Sequence, residues 1–287
     1  MKTNPRTLII GCGYIGLPLA LCLKDAGHEI DVWVRSAASA ASLTGQPFHR
    51  IITGSVADGG AWDAVDGNID LVIHCASSGR GGEKAYEEVF LQGARMMSER
   101  QPRARKIFVS STSVYGQTGG EVVTEDSPAE PETATGRMLR EAERSALGCG
   151  ATVVRSTGIY GPNRGVLFEK FRRGEALIEG DGVRWINQIH QRDLVAALAH
   201  LVEAGAPGEI YNATDDTPVK LLDFYAWCGE FLRQPMPPHG PVNADRKRGL
   251  TNKRVSNTKL RTTGWQPMYP SFREGITADC RSRNPSS

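Results

Sequence analysis

Residues 11–16 read Gly-Cys-Gly-Tyr-Ile-Gly, with the apolar run TLII just before them and apolar residues at helical spacing after them, over 17–25. A G-x-G-x-x-G spacing between a buried strand and a helix leaves the chain little freedom. Gly11 permits a tight turn, Gly13 lets backbone approach a charged ligand, and Gly16 lets the helix pack closely on the strand. The helix start that follows offers unpaired N–H groups and a partial positive charge. The pattern predicts the first strand–helix unit of a doubly wound α/β sheet. At the turn it predicts a dinucleotide pyrophosphate, held by Gly11, Gly13, Tyr14, Ile15 and Gly16.

The chain keeps this rhythm. Short apolar runs at 29–34, 51–52, 70–75 (DLVIHC), 106–111 (KIFVSS) and 152–155 read as further strands. Helical spacing covers 83–100, 136–147 and 193–203, and 210–212 reads as a late strand. Strands alternating with helices predict a parallel, Rossmann-type sheet covered on both faces. Beyond about residue 160 Gly, Pro and aromatic residues become frequent, and 235–241 reads as a rigid, extended loop. A dinucleotide-binding domain is therefore expected over 1–160. A smaller, irregular substrate lobe is expected over 161–287, with 186–213 returning to the main layer.

Charge excludes some partners. With 34 basic and 32 acidic residues the net charge is +2, which implies neither nucleic acid nor a membrane surface. A small-molecule substrate is the expected partner. The cysteines at 12, 22, 75, 149, 228 and 280 form no C-x-x-C pair, and no His/Cys cluster has ligand spacing. Free thiols in a reducing compartment, and no metal, are expected. The first six residues lack the apolar core of a signal peptide, and no run is long enough to span a bilayer. The cytoplasm is the expected location.

The second strand should choose the cofactor. An acidic residue at its end would bond the ribose 2′-hydroxyl, whereas an arginine suits a 2′-phosphate. Here the strand ends Val34-Arg35-Ser36, and Asp31 lies too early to reach the ribose. Arg35 and Ser36 favour NADP(H) over NAD(H). The plain alternative is a solvated strand-end charge.

The segments GCGYIG, VIHCASS, KIFVSSTSVYG, VVRSTGIYGPNR, NQIHQRDL, EIYNATDD and KRVSN run in this order from residue 11 to about 257. Through them the chain resembles the extended and atypical short-chain dehydrogenase/reductases, the epimerase/dehydratase-like branch. The resemblance implies that Cys75, Ala76 and Ser77 line the cofactor and that Ser111 is the active-site serine. It places Thr157 and Ile159 beside the nicotinamide, and Tyr160, Asn187 and His190 in or near the substrate pocket. Family members also pair through two long helices. Those at 83–100 and 136–147 would form such a homodimer, although their charged faces suit solvent equally well.

One departure matters most. The family's Y-x-x-x-K pair uses Tyr as acid or base, and Lys to lower its pKa and hold the ribose. Over 133–139 this chain reads Thr-Ala-Thr-Gly-Arg-Met-Leu, which puts Thr135 at the Tyr position and Leu139 at the Lys. A threonine hydroxyl is too weak an acid to replace an activated phenol, and leucine carries no charge.

Replacements are few, and each has a bland reading. Tyr115 follows Ser111 closely and could donate a proton, or it could be a structural corner tyrosine. Tyr160 stands in a Y-G-P turn, and His190 could either donate a proton or anchor the helix that starts near Asp193. Arg80, in a glycine-rich loop, could touch a phosphate or stay solvated, and Lys253-Arg254 could meet an anionic substrate or solvent. The leading expectation is an NADP(H)-dependent oxidoreductase of a small polar carbonyl or imine. Ser111 would polarise the reacting group, with Thr135 and Tyr115 beside it. The rivals are a non-catalytic dinucleotide sensor or scaffold, and a sugar-nucleotide epimerase or dehydratase. The opening G-x-G-Y-x-G-L-P-L-A is shared with UDP-sugar dehydrogenases, but nothing downstream supports that reading.

Overall fold

The structure is a computed structural model that describes residues 4–79, 81–241 and 251–283. Arg80 lies outside the described residues. The first half runs β1 (Arg6–Ile10), α1 (Gly16–Asp25), β2 (Glu29–Val34), α2 (Ala37–Ala41), β3 (Arg50–Thr53), α3 (Gly59–Trp62), β4 (Leu71–His74), α4 (Glu83–Tyr86), α5 (Gly93–Arg100), β5 (Arg105–Ser111), β6 (Glu121–Val123) and α6 (Ala134–Gly148). The second half continues with β7 (Thr152–Ser156), β8 (Gly158–Tyr160), α7 (Val166–Arg172), β9 (Ile178–Glu179), β10 (Trp185–Ile186), β11 (Gln188–His190), α8 (Gln191–Ala204) and β12 (Ile210–Ala213). It closes with β13 (Val219–Lys220), α9 (Leu221–Leu232), β14 (His239–Gly240), β15 (Lys253–Val255), α10 (Thr258–Thr262) and α11 (Phe272–Arg283).

Contacts divide the chain into two units. The first comprises Met1–Val114, Ala129–Arg155 and Val195–Tyr211. Its seven-stranded sheet has the order β12-β7-β5-β4-β1-β2-β3, the doubly wound arrangement that the alternating pattern predicts. β1 pairs in parallel with β2 on one side and β4 on the other, so Ile9 sits between Val32 and Ile73. Flanked by strands and covered on both faces, β1 has an apolar inner part, and Leu8, Ile9 and Ile10 are fully buried. Strand order reverses between β1 and β4, and it is outside the carboxyl ends of the strands at such a reversal that doubly wound sheets bind their ligands.

The helix expected over 83–100 exists, but it is not uniform: Glu87–Gln92 winds as π-helix between α4 and α5. His74, fully buried at the end of β4, lies under this segment against Phe108. At Gly93 a Cβ would come within 2.6 Å of His74 Nε2, so the helix needs both a glycine and a widened turn there. Sequence periodicity registers the helix but not the ring beneath it. Burial lowers the His74 pKa to about 4. In the unfolded chain this ring takes up a proton below about pH 6.5 while the folded protein does not. Stability should therefore fall as pH drops from about 6.5 to about 4, by about 3 kcal/mol in all, and level off below. Urea titrations against pH should show that slope in the wild type, and a flatter one in His74→Gln.

A second buried polar feature pins α6. Its buried stripe of Leu139, Ala142 and Ala146 includes Glu143, which is 0% exposed. The Glu143 carboxylate accepts from Arg155 Nε at 2.9 Å and a terminal Arg155 nitrogen at 2.7 Å, from Ser110 Oγ at 2.6 Å, and from Arg140 at 3.2 Å. One carboxylate thus ties the helix to β5 and β7.

The second unit comprises Tyr115–Pro128, Ser156–Leu194 and Asn212–Ser287. Among the described residues it holds two-stranded pairs: β8 with β11, β9 with β14, β6 with β15, and β10 with β13. Its core is aromatic, with Phe224 against Phe272 at 4.8 Å and Tyr225 stacked on Phe171 at 5.7 Å. Strands stay short because turns interrupt them. Pro162 and Asn163 make one such turn, with Asn163 at φ 60° and Arg164 N–H donating to Gly161 O at 3.0 Å.

Candidate functional site

In the first unit the glycine turn has the geometry its spacing demands. Gly11 adopts φ +91°, and its N–H, with that of Cys12, donates to Trp33 O at the end of β2. A Cβ on Gly11 would stand 2.4 Å from Ala76 Cα, so the loops leaving β1 and β4 touch there. On Gly16 it would stand 2.1 Å from Gly11 O, which is the close helix–strand approach. Gly13 is different: it is exposed, and a Cβ there would meet nothing within 4 Å. The space above Gly13 is open for backbone contact with a phosphate, and α1 begins directly behind it, with Leu17 N–H on Gly13 O. Tyr14 is half-buried and Ile15 buried. These residues fit a dinucleotide pyrophosphate.

Next to this turn, Cys75 N–H donates to Ile10 O at 2.8 Å. Cys75 and Ala76 are half-buried, and Ser77 is exposed with its Oγ accepting from Gly79 N–H. The structure thus brings GCGYIG and Cys75-Ala76-Ser77 together, as the resemblance implies. At the end of β2, Arg35 and Ser36 are exposed. Ser36 Oγ caps α2 by accepting from Ser39 N–H, and Arg35 makes no hydrogen bond or ion pair among the described residues. Asp31 is 1% exposed, and its carboxylate is engaged by Arg6 at 3.2 Å and by His49 Nδ1 at 2.9 Å.

Ser111 ends β5 half-buried, and its Oγ accepts from Ser113 N–H at 3.2 Å. Thr135 lies half-buried in the first turn of α6, which Thr133 caps through Gly136 N–H, and Leu139 on the same face is buried.

In the second unit most of the expected site residues hold structure. Tyr115 is fully buried, and its phenol donates to Asn212 Oδ1 at 2.9 Å. Thr157 is buried with its hydroxyl on Ala213 O, and Ile159 pairs with Ile189 between β8 and β11. Tyr160 is 3% exposed with its hydroxyl on Ser271 O, and burial pushes its pKa far above the ordinary value. His190 is fully buried. Its Nε2 faces Asp279 at 3.3 Å, its Nδ1 accepts from Arg192 N–H, and burial lowers its pKa. Asn187 donates from Nδ2 to Lys253 O at 2.9 Å and accepts on Oδ1 from Val255 N–H at 2.7 Å, which splints β15. Asp193 accepts from Met268 N–H at 2.6 Å and Tyr269 N–H at 3.2 Å, and burial raises its pKa to about 6.

Sequence reading overlooked Glu143. The available signal was a carboxylate on the apolar stripe of a helix, matched by an arginine inside the otherwise apolar strand 152–155. Among the described residues no cluster of three or more His, Cys, Asp or Glu could hold a metal ion, and no helix is long and apolar enough to cross a membrane.

The sequence profile of the NAD dependent epimerase/dehydratase family matches residues 7–214. The chain belongs to this family. It is 32% identical over 216 residues to protein YeeZ of Escherichia coli K12, covering 72% of this chain and 76% of YeeZ. A solved structure described as an NAD-dependent epimerase/dehydratase from Methylobacillus flagellatus superposes with a TM-score of 0.79 at 26% identity, over 98% of this chain and 99% of that one. The dTDP-glucose 4,6-dehydratase of Bacillus anthracis, solved in complex with NAD, superposes with a TM-score of 0.81 at 17% identity, over 99% and 98%. At that identity the likeness shows a shared epimerase/dehydratase fold.

Proposed function

We propose that this chain is an NADP(H)-dependent reductase of a small polar carbonyl or imine. The observation that carries the cofactor choice is the end of β2, where Arg35 stands exposed, while Asp31 lies earlier in the strand with its carboxylate engaged by Arg6 and His49. Gly11, Gly13 and Gly16 hold the pyrophosphate, Arg35 and Ser36 meet the 2′-phosphate, and Cys75, Ala76 and Ser77 lie along the riboses. When bound, NADPH supplies a hydride from its nicotinamide.

Ser111 carries the polar contact with the reacting group. Its Oγ already accepts from Ser113 N–H, so the hydroxyl proton is left to donate to a carbonyl oxygen or an imine nitrogen. Tyr115 has its phenol committed to Asn212, so the proton consumed by the reaction comes from water, with Thr135 as the hydroxyl nearest in role to the family's tyrosine. An imine that binds already protonated needs less acid assistance, and it suits a site with Thr135 and Leu139 in place of Tyr and Lys. Tyr160, Asn187 and His190 are left out of the substrate contacts, because each holds the second unit together.

Purified protein screened against carbonyls and imines should consume NADPH with at least one of them, and Ser111→Ala should slow it by at least tenfold. Arg35→Ala should weaken NADP(H) by about 1.5–3 kcal/mol, the worth of a charged hydrogen bond. Binding without any turnover would sink the reductase and leave a dinucleotide sensor. Likeness to dTDP-glucose 4,6-dehydratases favours a second reading, sugar-nucleotide chemistry on retained NAD. NAD copurifying with the protein would select it.

A further inference from the structure

The proposed reductase uses no residue of the KRVSN segment. Lys253 in that segment is 5% exposed, yet no carboxylate lies within 4.0 Å of its ammonium among the described residues. Its two partners are neutral: Tyr115 O at 3.0 Å and Thr251 Oγ1 at 2.6 Å. An ammonium has three donors, so one N–H has no acceptor among the described residues. Burying a cation without a counter-charge is costly, and proteins ordinarily compensate it.

Other basic groups in or near the core have different surroundings. Arg155 has Glu143, and Arg254, next to Lys253, donates to Gly120 O and lies 5.3 Å over the Trp185 ring. Lys106, also buried, binds two carbonyls of its own preceding turn, Pro102 O and Ala104 O. Lys253 alone among these has a second cation, Arg184, acting against it. Thr251 accepts from the ammonium, which leaves its own hydroxyl proton available to donate. The strand that carries Lys253 is held rigid by the Asn187 splint. A fixed pair of donors beside an uncompensated positive charge is complementary to an oxyanion.

We propose that Lys253 and Thr251 form an anion-binding site in the second unit, and that it receives a phosphate or carboxylate group of the substrate. Only the word substrate rests on the reductase reading. The site itself is independent of nucleotide binding.

The test follows the thermal unfolding of the intact protein at constant ionic strength while chloride is replaced by inorganic phosphate or by acetate. It is run with and without saturating NADPH, because an anion held at the glycine turn would be displaced by nucleotide and one on Lys253 would not. Wild type and the neighbouring charge control Arg254→Gln should be stabilised saturably by one of the two anions, which identifies the group. Lys253→Met should need at least tenfold more of that anion. In chloride alone Lys253→Met should melt at or above the wild-type temperature, because it removes an uncompensated charge. Stabilisation by neither anion, equal stabilisation of Lys253→Met, or a Lys253→Met protein that melts several degrees lower or fails to fold would overturn the proposal. In the last case Lys253 is a tie between strands. Loss of nucleotide binding with the anion response intact would count against the reductase alone.

Discussion

Glu143→Ala is expected to cost about 3–5 kcal/mol of stability, the largest single effect of any substitution considered for this chain. Arg155 is 1% exposed and donates to both oxygens of this carboxylate, which also takes Ser110 Oγ and Arg140. Removing the anion leaves a guanidinium buried without its counter-charge and detaches α6 from β5 and β7 together. Replacing the pair by Glu143→Met with Arg155→Met should be far milder, from neutral to about 1–4 kcal/mol stabilising, since neither charge then has to be desolvated. Urea denaturation of the three variants decides the point. If Glu143→Ala lost less than about 1 kcal/mol, the network would be ornamental.

The second large effect separates binding from folding. Gly13→Ala should leave the unfolding midpoint within about 0.5 kcal/mol of wild type, because its Cβ enters open space at an ordinary φ. The same methyl stands where a pyrophosphate would approach, so nucleotide affinity should fall by about a hundredfold, near 2.7 kcal/mol. Gly16→Ala should do the reverse, straining the fold by about 1–3 kcal/mol as its Cβ meets Gly11 O. Far-UV melting and nucleotide titration of both variants check it. Equal loss of stability in the two would mean that the open space at Gly13 has no bearing on the nucleotide.

The parallel sheet was legible because its signals are local. TLII, DLVIHC and KIFVSS have central apolar runs (LII, LVI and IFV) because the sheet is covered on both faces, and the glycine turn has a spacing that few other structures require. The placing of Cys75, Ala76 and Ser77 on the cofactor came from the resemblance alone, and the contact of Ala76 with Gly11 is what the structure adds. Long-range polar partnerships were not legible. Tyr115 with Asn212, Asn187 with Lys253 and Val255, and His190 with Asp279 are separated by 97, 66, 68 and 89 residues, and no periodicity encodes them. Each looks in sequence like a polar residue awaiting a ligand. The π-helical turn over His74 was hidden for the same reason, since its cause lies on another element.

The proposal that the glycine turn holds NADP(H) is tested most directly by calorimetric titration of the purified protein with NADPH, NADP, NADH and NAD. The predicted result is saturable binding of NADPH and NADP, at least tenfold tighter than NADH and NAD, with the difference largely abolished in Arg35→Ala. Tighter binding of NAD(H) would contradict the role given to Arg35, and heat from none of the four would contradict the site itself.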